Sequence, residues 1–381
     1  MSLINELENL RNYFERGATL SADFRIEQLK KLKQSILEYE YELYQALYTD
    51  LKKNKEETWV TETGMVISEL NTALRKIKSW MRPEKVRTNL LNLPSSSRIL
   101  REPLGVLLII GPWNYPFQLL INPLIGAIAA GNCVVLKPSE FAPATDVVMK
   151  KIIESVFPKE YILYVQGEGQ QVIPQMMNAF RFDHVFYTGS TAVGKIIYKM
   201  AAEKVVPVTL ELGGKSPCVV DADANLKVAA RRIAMTKFSN AGQMCVAPDY
   251  VLVHQSVKQP FVDAMQETIH QFFGDKPEEN YNYGKMISEK QFDRVVKYLS
   301  EGNIIKGGRI DRAKLFIEPS LLDNIAPDAA VMQDEIFGPV LPILTFADMK
   351  EAKSIINKHP NPLAFYIYTA STANAKSWLQ N

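Results

Sequence analysis

A chain of 381 residues, 47% hydrophobic and 23% charged with a formal net charge of +2, is too long for one hydrophobic core and too apolar for extensive disorder. The near-neutral balance, with no basic run interleaved with aromatics, excludes a polyanion partner, so nucleic acid is not expected. Cys133, Cys218 and Cys245 cannot all pair within the chain and show no CxxC spacing, which points to a reducing compartment and leaves no legible set of metal ligands.

The N-terminus, MSLINELENLRNYFERG, carries acids in its first turns and no apolar core segment, which excludes a secretory signal and makes the cytoplasm the expected location. Apolar residues at helical spacing predict helices over residues 4–16, 22–48 and 55–81. Residues 86–102, VRTNLLNLPSSSRILRE, set two short apolar runs around Pro94 and three serines, the pattern of either a projecting hairpin arm or a plain surface loop. Residues 104–136 contain no Asp, Glu, Lys or Arg and are long enough to cross a bilayer. Pro112, Asn114, Pro116, Asn122, Pro123, Gly126, Gly131 and Asn132 interrupt them, predicting a strand, a loop, a helix and a second strand instead.

Strand-like runs at 106–110, 134–136, 162–165 and 184–187 alternate with helical patterns at 117–130, 145–156 and 172–178, which implies a parallel sheet with helical crossovers. Runs at 218–220 and 251–253 with helices over 226–238, 257–272 and 289–300 form a second series. The expected fold is therefore α/β, with two parallel-sheet lobes meeting near Glu211.

The most informative stretch opens on Glu211 in LELGGKSP and closes on Cys245 in NAGQMCVAPDY. A thiol can become a covalent nucleophile, and a carboxylate can activate the water that later releases product. The competing reading is a core thiol and a surface charge. In FYTGSTAVGK, Gly189, Ser190 and Gly194 read as a strand, a glycine turn and a helix start, which offers backbone amides to phosphate. The same GxxxxGK meets most of a Walker A motif, but Ile196 stands where magnesium needs Ser or Thr. The dinucleotide fingerprint GxGxxG is incomplete, since Gly167 and Gly169 are followed by Val172. Lys137, ending the strand NCVVLKPSE, could reach a ribose or phosphate, with Glu140 three residues on; a lone lysine in that position is usually a solvated surface charge, so it gains force only beside the other motifs. Asn114 in GPWNYP, held between Pro112 and Pro116, could present its amide as a donor or simply form a turn. DEIFGPV places Glu335 and Phe337 in a short loop before a strand, fit to hold a sugar hydroxyl and cover a ring, or to make an ordinary turn.

Taken together, GPWNYP, KPSE, FYTGS, LELGGKSP, NAGQMC and EIFGPV resemble, in order and approximate separation, the motifs of the aldehyde dehydrogenase superfamily, and NAGQMCVAPDY is most similar to its class 3, or fatty aldehyde, branch. The resemblance implies a variant Rossmann cofactor domain over residues 1–210, including the N-terminal helices and the 86–102 arm as an oligomerising hairpin, and a catalytic domain over 211–381. It implies Cys245 as nucleophile, Glu211 as general base, and Asn114 with the Cys245 backbone amide as oxyanion donors. Lys137 and Glu140 would face the adenosine ribose, Gly189, Ser190 and Gly194 the pyrophosphate region, and Glu335 the nicotinamide ribose, with Phe337 near the nicotinamide and Trp113 also at the cofactor.

The implied activity is NAD(P)-dependent oxidation of an aldehyde, medium- or long-chain aliphatic or aromatic, to its acid. Glu140 would repel a 2′-phosphate and favour NAD, although the branch tolerates NADP. The family pattern continues past Asn381 with a substrate-pocket loop, a strand used in dimer contacts and, in some relatives, a membrane anchor; this chain stops before them. A homodimer is expected if that strand is dispensable. Two alternatives remain at this stage: a dehydrogenase that passes its acyl group to coenzyme A, which Glu211 argues against, and a noncatalytic cofactor-binding homologue. A cysteine hydrolase finds no recognisable context around His184, His254, His270 or His359.

Overall fold

The computed structural model describes residues 2–326 and 328–380. By its internal contacts the chain divides into two units, one comprising Met1–Asp50 and Lys55–Glu211, the other Leu51–Asn54 and Leu212–Asn381.

The first unit begins with α1 (Leu3–Glu15), α2 (Ala22–Glu38), α3 (Glu40–Leu51) and α4 (Lys55–Thr58), then a π-helical turn at Trp59–Thr63 that leads into α5 (Gly64–Trp80). The single helix expected over residues 22–48 is two, because the chain breaks at Tyr39 between α2 and α3. Apolar periodicity runs through that junction, so hydropathy alone does not reveal it. The arm is a hairpin, with β1 (Glu84–Val86) antiparallel to β2 (Ser97–Ile99). Leu90 and Leu91 at its tip are 82% and 91% exposed.

Next come β3 (Val106–Ile110), α6 (Gln118–Ala130), β4 (Cys133–Lys137), α7 (Pro143–Val156), β5 (Ile162–Tyr164), α8 (Gly169–Ala179), β6 (His184–Gly189), α9 (Thr191–Glu203) and β7 (Val208–Leu212). The five strands lie in the order β5-β4-β3-β6-β7, with β3 parallel to both β4 and β6. Counted from the first, this is the order 3-2-1-4-5 of a dinucleotide-binding sheet, with its switch point between β3 and β6. Every residue of β3 and β4 is buried, which explains continuous apolar runs in place of alternation. β7, which carries Glu211, was not anticipated, because VTLEL reads weakly as a strand.

The uncharged stretch 104–136 is β3, a loop, α6 and β4, as its punctuation predicts. None of the helices among the described residues is long and apolar enough to cross a membrane. Buried polar groups satisfy the ends of α6. Glu62, in the π-helical turn, accepts from Gln118 N at 2.9 Å, and Arg25 donates to Ala129 O at 3.1 Å and Thr19 O at 2.8 Å. The helix ends on left-handed Gly131 (φ 91°), where a Cβ would lie 2.3 Å from the Arg25 guanidinium, so glycine is required both for the turn and for the cation packed on it.

The second unit contains β8 (Pro217–Val220), α10 (Leu226–Phe238), β9 (Tyr250–His254), α11 (Lys258–Phe273), α12 (Glu289–Lys297), β10 (Asn303–Lys306), β11 (Ile310–Asp311), β12 (Phe316–Ile317), β13 (Ser320–Asp323), β14 (Val340–Phe346), α13 (Met349–Ile356), β15 (Tyr366–Tyr368) and α14 (Thr372–Gln380). Its six-stranded sheet runs β10-β13-β14-β9-β8-β15. All neighbours are parallel except β10, which pairs antiparallel to β13 at the edge. α10 and α11 close over a core of Ile233, Phe238, Phe261, Met265 and the strand residues Val219, Val251 and Leu341, all at most 1% exposed. Each such aliphatic side chain contributes roughly 1.5–3 kcal/mol through burial.

Candidate active site

In the first unit the expected cofactor residues gather at one edge of one sheet. β3 ends at Ile110 and runs into Trp113 and Asn114, β4 ends on Lys137 three residues before Glu140, and β6 ends on Gly189 just before Ser190 and α9. These are the carboxyl ends of three adjacent parallel strands, on both sides of the switch point, where α/β sheets bind dinucleotides. Ser190 caps α9, its Oγ accepting from Val193 N at 3.4 Å, while Gly194 N donates to Ser190 O at 2.9 Å. The helix start that the glycine turn predicts is therefore present, with its positive end beside β6. Gly189 has a second reason to be glycine, because a Cβ there would lie 2.3 Å from Tyr187 Oη.

Lys137 is not a solvated surface charge: its side chain is 2% exposed and donates to Pro138 O and, at 3.2 Å, to Glu140 Oε2. The other Glu140 oxygen accepts from Gly169 N, the first residue of α8, at 2.9 Å. Burial raises the Glu140 pKa, but the bond from Gly169 and the Lys137 charge outweigh it and hold the carboxyl below its ordinary value. Glu140 is thus a fixed anion at the sheet edge. Asn114 is 3% exposed, and Glu211 is exposed near the end of β7.

In the second unit the corresponding residues meet at the opposite kind of edge. Gly213, Gly214 and Lys215 precede β8, Cys245 precedes β9, and Glu335 and Phe337 precede β14, so all lie at the amino ends of neighbouring strands.

Burial sorts the three cysteines. Cys133 and Cys218 are completely buried inside β4 and β8, and burial pushes the Cys133 thiol up to about 12 and that of Cys218 higher still. Neither can supply thiolate near neutral pH. Cys245 is half-buried and sits in a loop.

The backbone that presents Cys245 is unusual. After α10, Asn240 (φ 50°), Ala241 (φ 51°) and Gly242 (φ 74°) are consecutively left-handed, although Ala241 carries a side chain that disfavours this region. Gln243 over-determines the loop: its amide donates to Asn240 O and Lys285 O, each at 2.9 Å, and its oxygen accepts from Ile287 N at 2.9 Å. Tyr366 Oη donates to Val246 O from the far side. Gly242 packs so tightly that a Cβ would lie 2.3 Å from Gly338 O, which joins the cysteine loop to the EIFGPV loop. A side chain on a turn held by this many hydrogen bonds needs little reorganisation to present itself in one orientation.

Glu335 lies over Gly213, where a Cβ would come within 1.9 Å of its carboxylate. Burial first, then the neighbouring Asp249 charge, push the Glu335 carboxyl up to about 8, against the opposing Gly214 N–H, Lys237 and Arg294. Phe337 is left-handed (φ 45°) and half-buried.

Sequence reasoning overlooked Lys215, Lys237 and Asp249, although Lys215 stands inside LELGGKSP and Asp249 inside NAGQMCVAPDY. Their signal was a charged residue in an otherwise small and apolar motif. Lys237, in the last turn of α10, is fully buried and its Nζ makes no hydrogen bond. Burial, aided by the Lys215 charge and opposed by Asp249 and Glu335, pushes it down to about 8 from an ordinary value of 10.5. The cost of burying this charge is present below pH 8 and vanishes above pH 10.5, so the group favours folding least at neutral pH. Lys237→Met is therefore expected to raise stability at pH 7 by at most about 3 kcal/mol, the gain shrinking as pH rises through 8–10.5. Urea melts of both proteins across that range check this, and a variant less stable at pH 7 would refute it.

A parallel sheet with a dinucleotide-type edge, in a chain of two α/β units, is the architecture of a dinucleotide-dependent oxidoreductase. Residues 6–381 match the Aldehyde dehydrogenase family. Aldehyde dehydrogenase family 3 member B1 of Rattus norvegicus is 42% identical over 97% of this chain and 78% of its own length. Among solved structures, the substrate-bound state of Staphylococcus aureus AldH superimposes with a TM-score of 0.97 at 43% identity, covering 100% of this chain and 83% of that one. Betaine aldehyde dehydrogenase from the same organism, solved in complex with NAD+, superimposes at 0.88 with 28% identity, covering 98% and 76%. The chain belongs to the aldehyde dehydrogenase family, in its class 3-like branch, and is an enzyme that oxidises aldehydes.

Proposed function

We propose that the enzyme converts a medium- or long-chain aliphatic or aromatic aldehyde to its carboxylic acid with NAD, NADP serving less well, through a covalent intermediate on Cys245. The observation that carries this reading is the contrast between Cys245, half-exposed on a strained turn, and two thiols sealed in strands. Cys245 as thiolate attacks the carbonyl carbon, forming the carbon–sulfur bond of a tetrahedral thiohemiacetal. Asn114 and the Cys245 amide donate hydrogen bonds to the resulting oxyanion. When bound, the nicotinamide supplies a two-electron acceptor for the hydride that leaves the former aldehyde carbon. Glu211 then takes a proton from water, whose oxygen attacks the thioester, and the acid leaves as the thiol re-forms.

For the dinucleotide, Lys137 and Glu140 would hold the adenosine ribose, Gly189, Ser190 and Gly194 the pyrophosphate, and Trp113, Glu335 and Phe337 the nicotinamide end. The fit rests on the strand order, the capped start of α9 and the seat that Gly213 leaves for the Glu335 carboxylate. Glu140, held ionised, would meet the 2′-phosphate of NADP with like charge and so disfavour it. We also assign residues 1–210 to cofactor binding and 211–381 to catalysis, the protein to the cytoplasm, and the exposed Leu90–Leu91 tip to a homodimer contact.

Incubating the purified protein with NAD+ or NADP+ and a series of aliphatic and aromatic aldehydes, with and without coenzyme A, tests the reading. Free acid and reduced cofactor should form without coenzyme A, faster with NAD+. Acyl-coenzyme A as the sole product, or no reduction of either dinucleotide, would overturn it.

A further inference from the structure

Glu335 stands in a segment without helix or strand between a short turn at Ala330–Met332 and β14, yet its position is closely specified. A buried ion pair does this. Lys215 and Asp249, with side chains 2% and 4% exposed, form a salt bridge between the Lys215 Nζ and Asp249 Oδ2. Lys215 Nζ also donates to Val331 O at 2.7 Å and Asp334 O at 3.1 Å. The other Asp249 oxygen accepts from Ile336 N at 2.9 Å. The peptide groups on either side of Glu335 are therefore tied to the two members of one pair. Arg294 on α12 adds donors to Ile336 O at 2.8 Å and Glu335 O at 3.4 Å.

The geometry is economical in sequence. Lys215 follows two residues after Gly213, whose missing side chain makes room for the Glu335 carboxylate. One short segment thus supplies both the seat for the carboxylate and the anchor for its loop. A buried pair is a weak source of stability, because desolvation offsets most of its Coulomb attraction. A pair of this kind is better suited to fixing geometry than to adding stability. The three protons of the Lys215 ammonium all find acceptors, in directions that only this arrangement of Asp249, Val331 and Asp334 provides.

We propose that Lys215 and Asp249 are positioning residues that hold Glu335 in the orientation that grips the nicotinamide ribose, and that they act on cofactor binding through Glu335. The proposal rests on the role given to Glu335 above.

A double-mutant cycle on NAD+ affinity tests it, read from quenching of tryptophan fluorescence in the full chain without aldehyde. Asp249→Asn keeps an oxygen for Ile336 N but removes the charge opposite Lys215, and Lys215→Arg keeps the charge but changes the directions of its donors. Each should weaken NAD+ binding roughly tenfold, as should Glu335→Ala. In the Glu335→Ala background, neither Asp249→Asn nor Lys215→Arg should weaken it further. A merely structural role predicts the opposite, with losses that multiply in the double variants, and that result, or wild-type affinity in both single variants, would overturn the proposal. If one variant does not fold, the other completes the cycle. Failure of the wild-type protein to bind NAD+ would instead overturn the functional reading beneath it.

Discussion

Cys245→Ala should lower aldehyde-dependent formation of reduced cofactor by about a thousandfold or more, because the covalent route is lost entirely and not merely slowed. NAD+ affinity should stay within about twofold of wild type, since substitution by the smaller Ala removes one sulfur and leaves the dinucleotide's polar contacts intact. The loop should survive as well. Its left-handed residues are held by Gln243 and Tyr366, neither of which uses the cysteine side chain in the bonds that fix the turn. Stopped-flow measurement of reduced cofactor in the variant, alongside a fluorescence titration with NAD+, checks both halves. Turnover close to wild type would remove Cys245 from the mechanism. The parallel substitutions Cys133→Ala and Cys218→Ala should leave kcat nearly unchanged and cost stability instead, since both thiols are sealed in strands.

Glu211→Gln separates the two halves of the reaction. Loss of hydride precedes hydrolysis, so the variant should still produce a first burst of reduced cofactor close to one equivalent per active site. The steady rate afterwards should fall by about a hundredfold to ten-thousandfold, the usual contribution of a positioned general base. Acyl-enzyme should then accumulate and be detectable by intact-protein mass spectrometry as an adduct on Cys245. If the steady rate is unchanged, Glu211 is not the base. If the burst disappears with it, the carboxylate acts before the thioester forms. Its exposure on β7 gives water ready access to the carboxylate.

These expectations draw on different levels of legibility. The parallel sheet of the first unit could be read because β3 and β4 are buried on both faces and so appear as unbroken apolar runs, LLII and CVVL, between helical periods. Past residue 300 only the strand that follows the EIFGPV loop, β14, could be read. β10 through β13 and β15 are only two to four residues long, below the length at which a period of two stands out from chance. The break at Tyr39 was hidden for the converse reason: helical periodicity continues across the single residue, at φ −93° and ψ 9°, that interrupts the helix.

The candidate site divides in the same way. The small and turn-forming residues around Glu211 and Cys245 are visible as composition. Three consecutive left-handed residues before Cys245 are a property of the folded loop, sustained by Gln243 across contacts more than forty residues apart in sequence. Lys137 shows the limit most clearly. In the sequence it is a cation at a strand end, as well suited to water as to a ligand; in the fold it is buried and committed to Glu140 and a carbonyl.

What the chain's sequence determined by itself was the identity of its candidate reactive groups and the order in which they occur, because chemistry resides in side-chain types and local turns in Gly, Pro and Asn. Tertiary structure alone decided how deeply each of the three thiols is buried, which lysines are buried, and how a carboxylate without regular secondary structure is held in place. Those outcomes depend on burial and on hydrogen bonds between segments distant along the chain, and neither burial nor long-range pairing is written in local sequence.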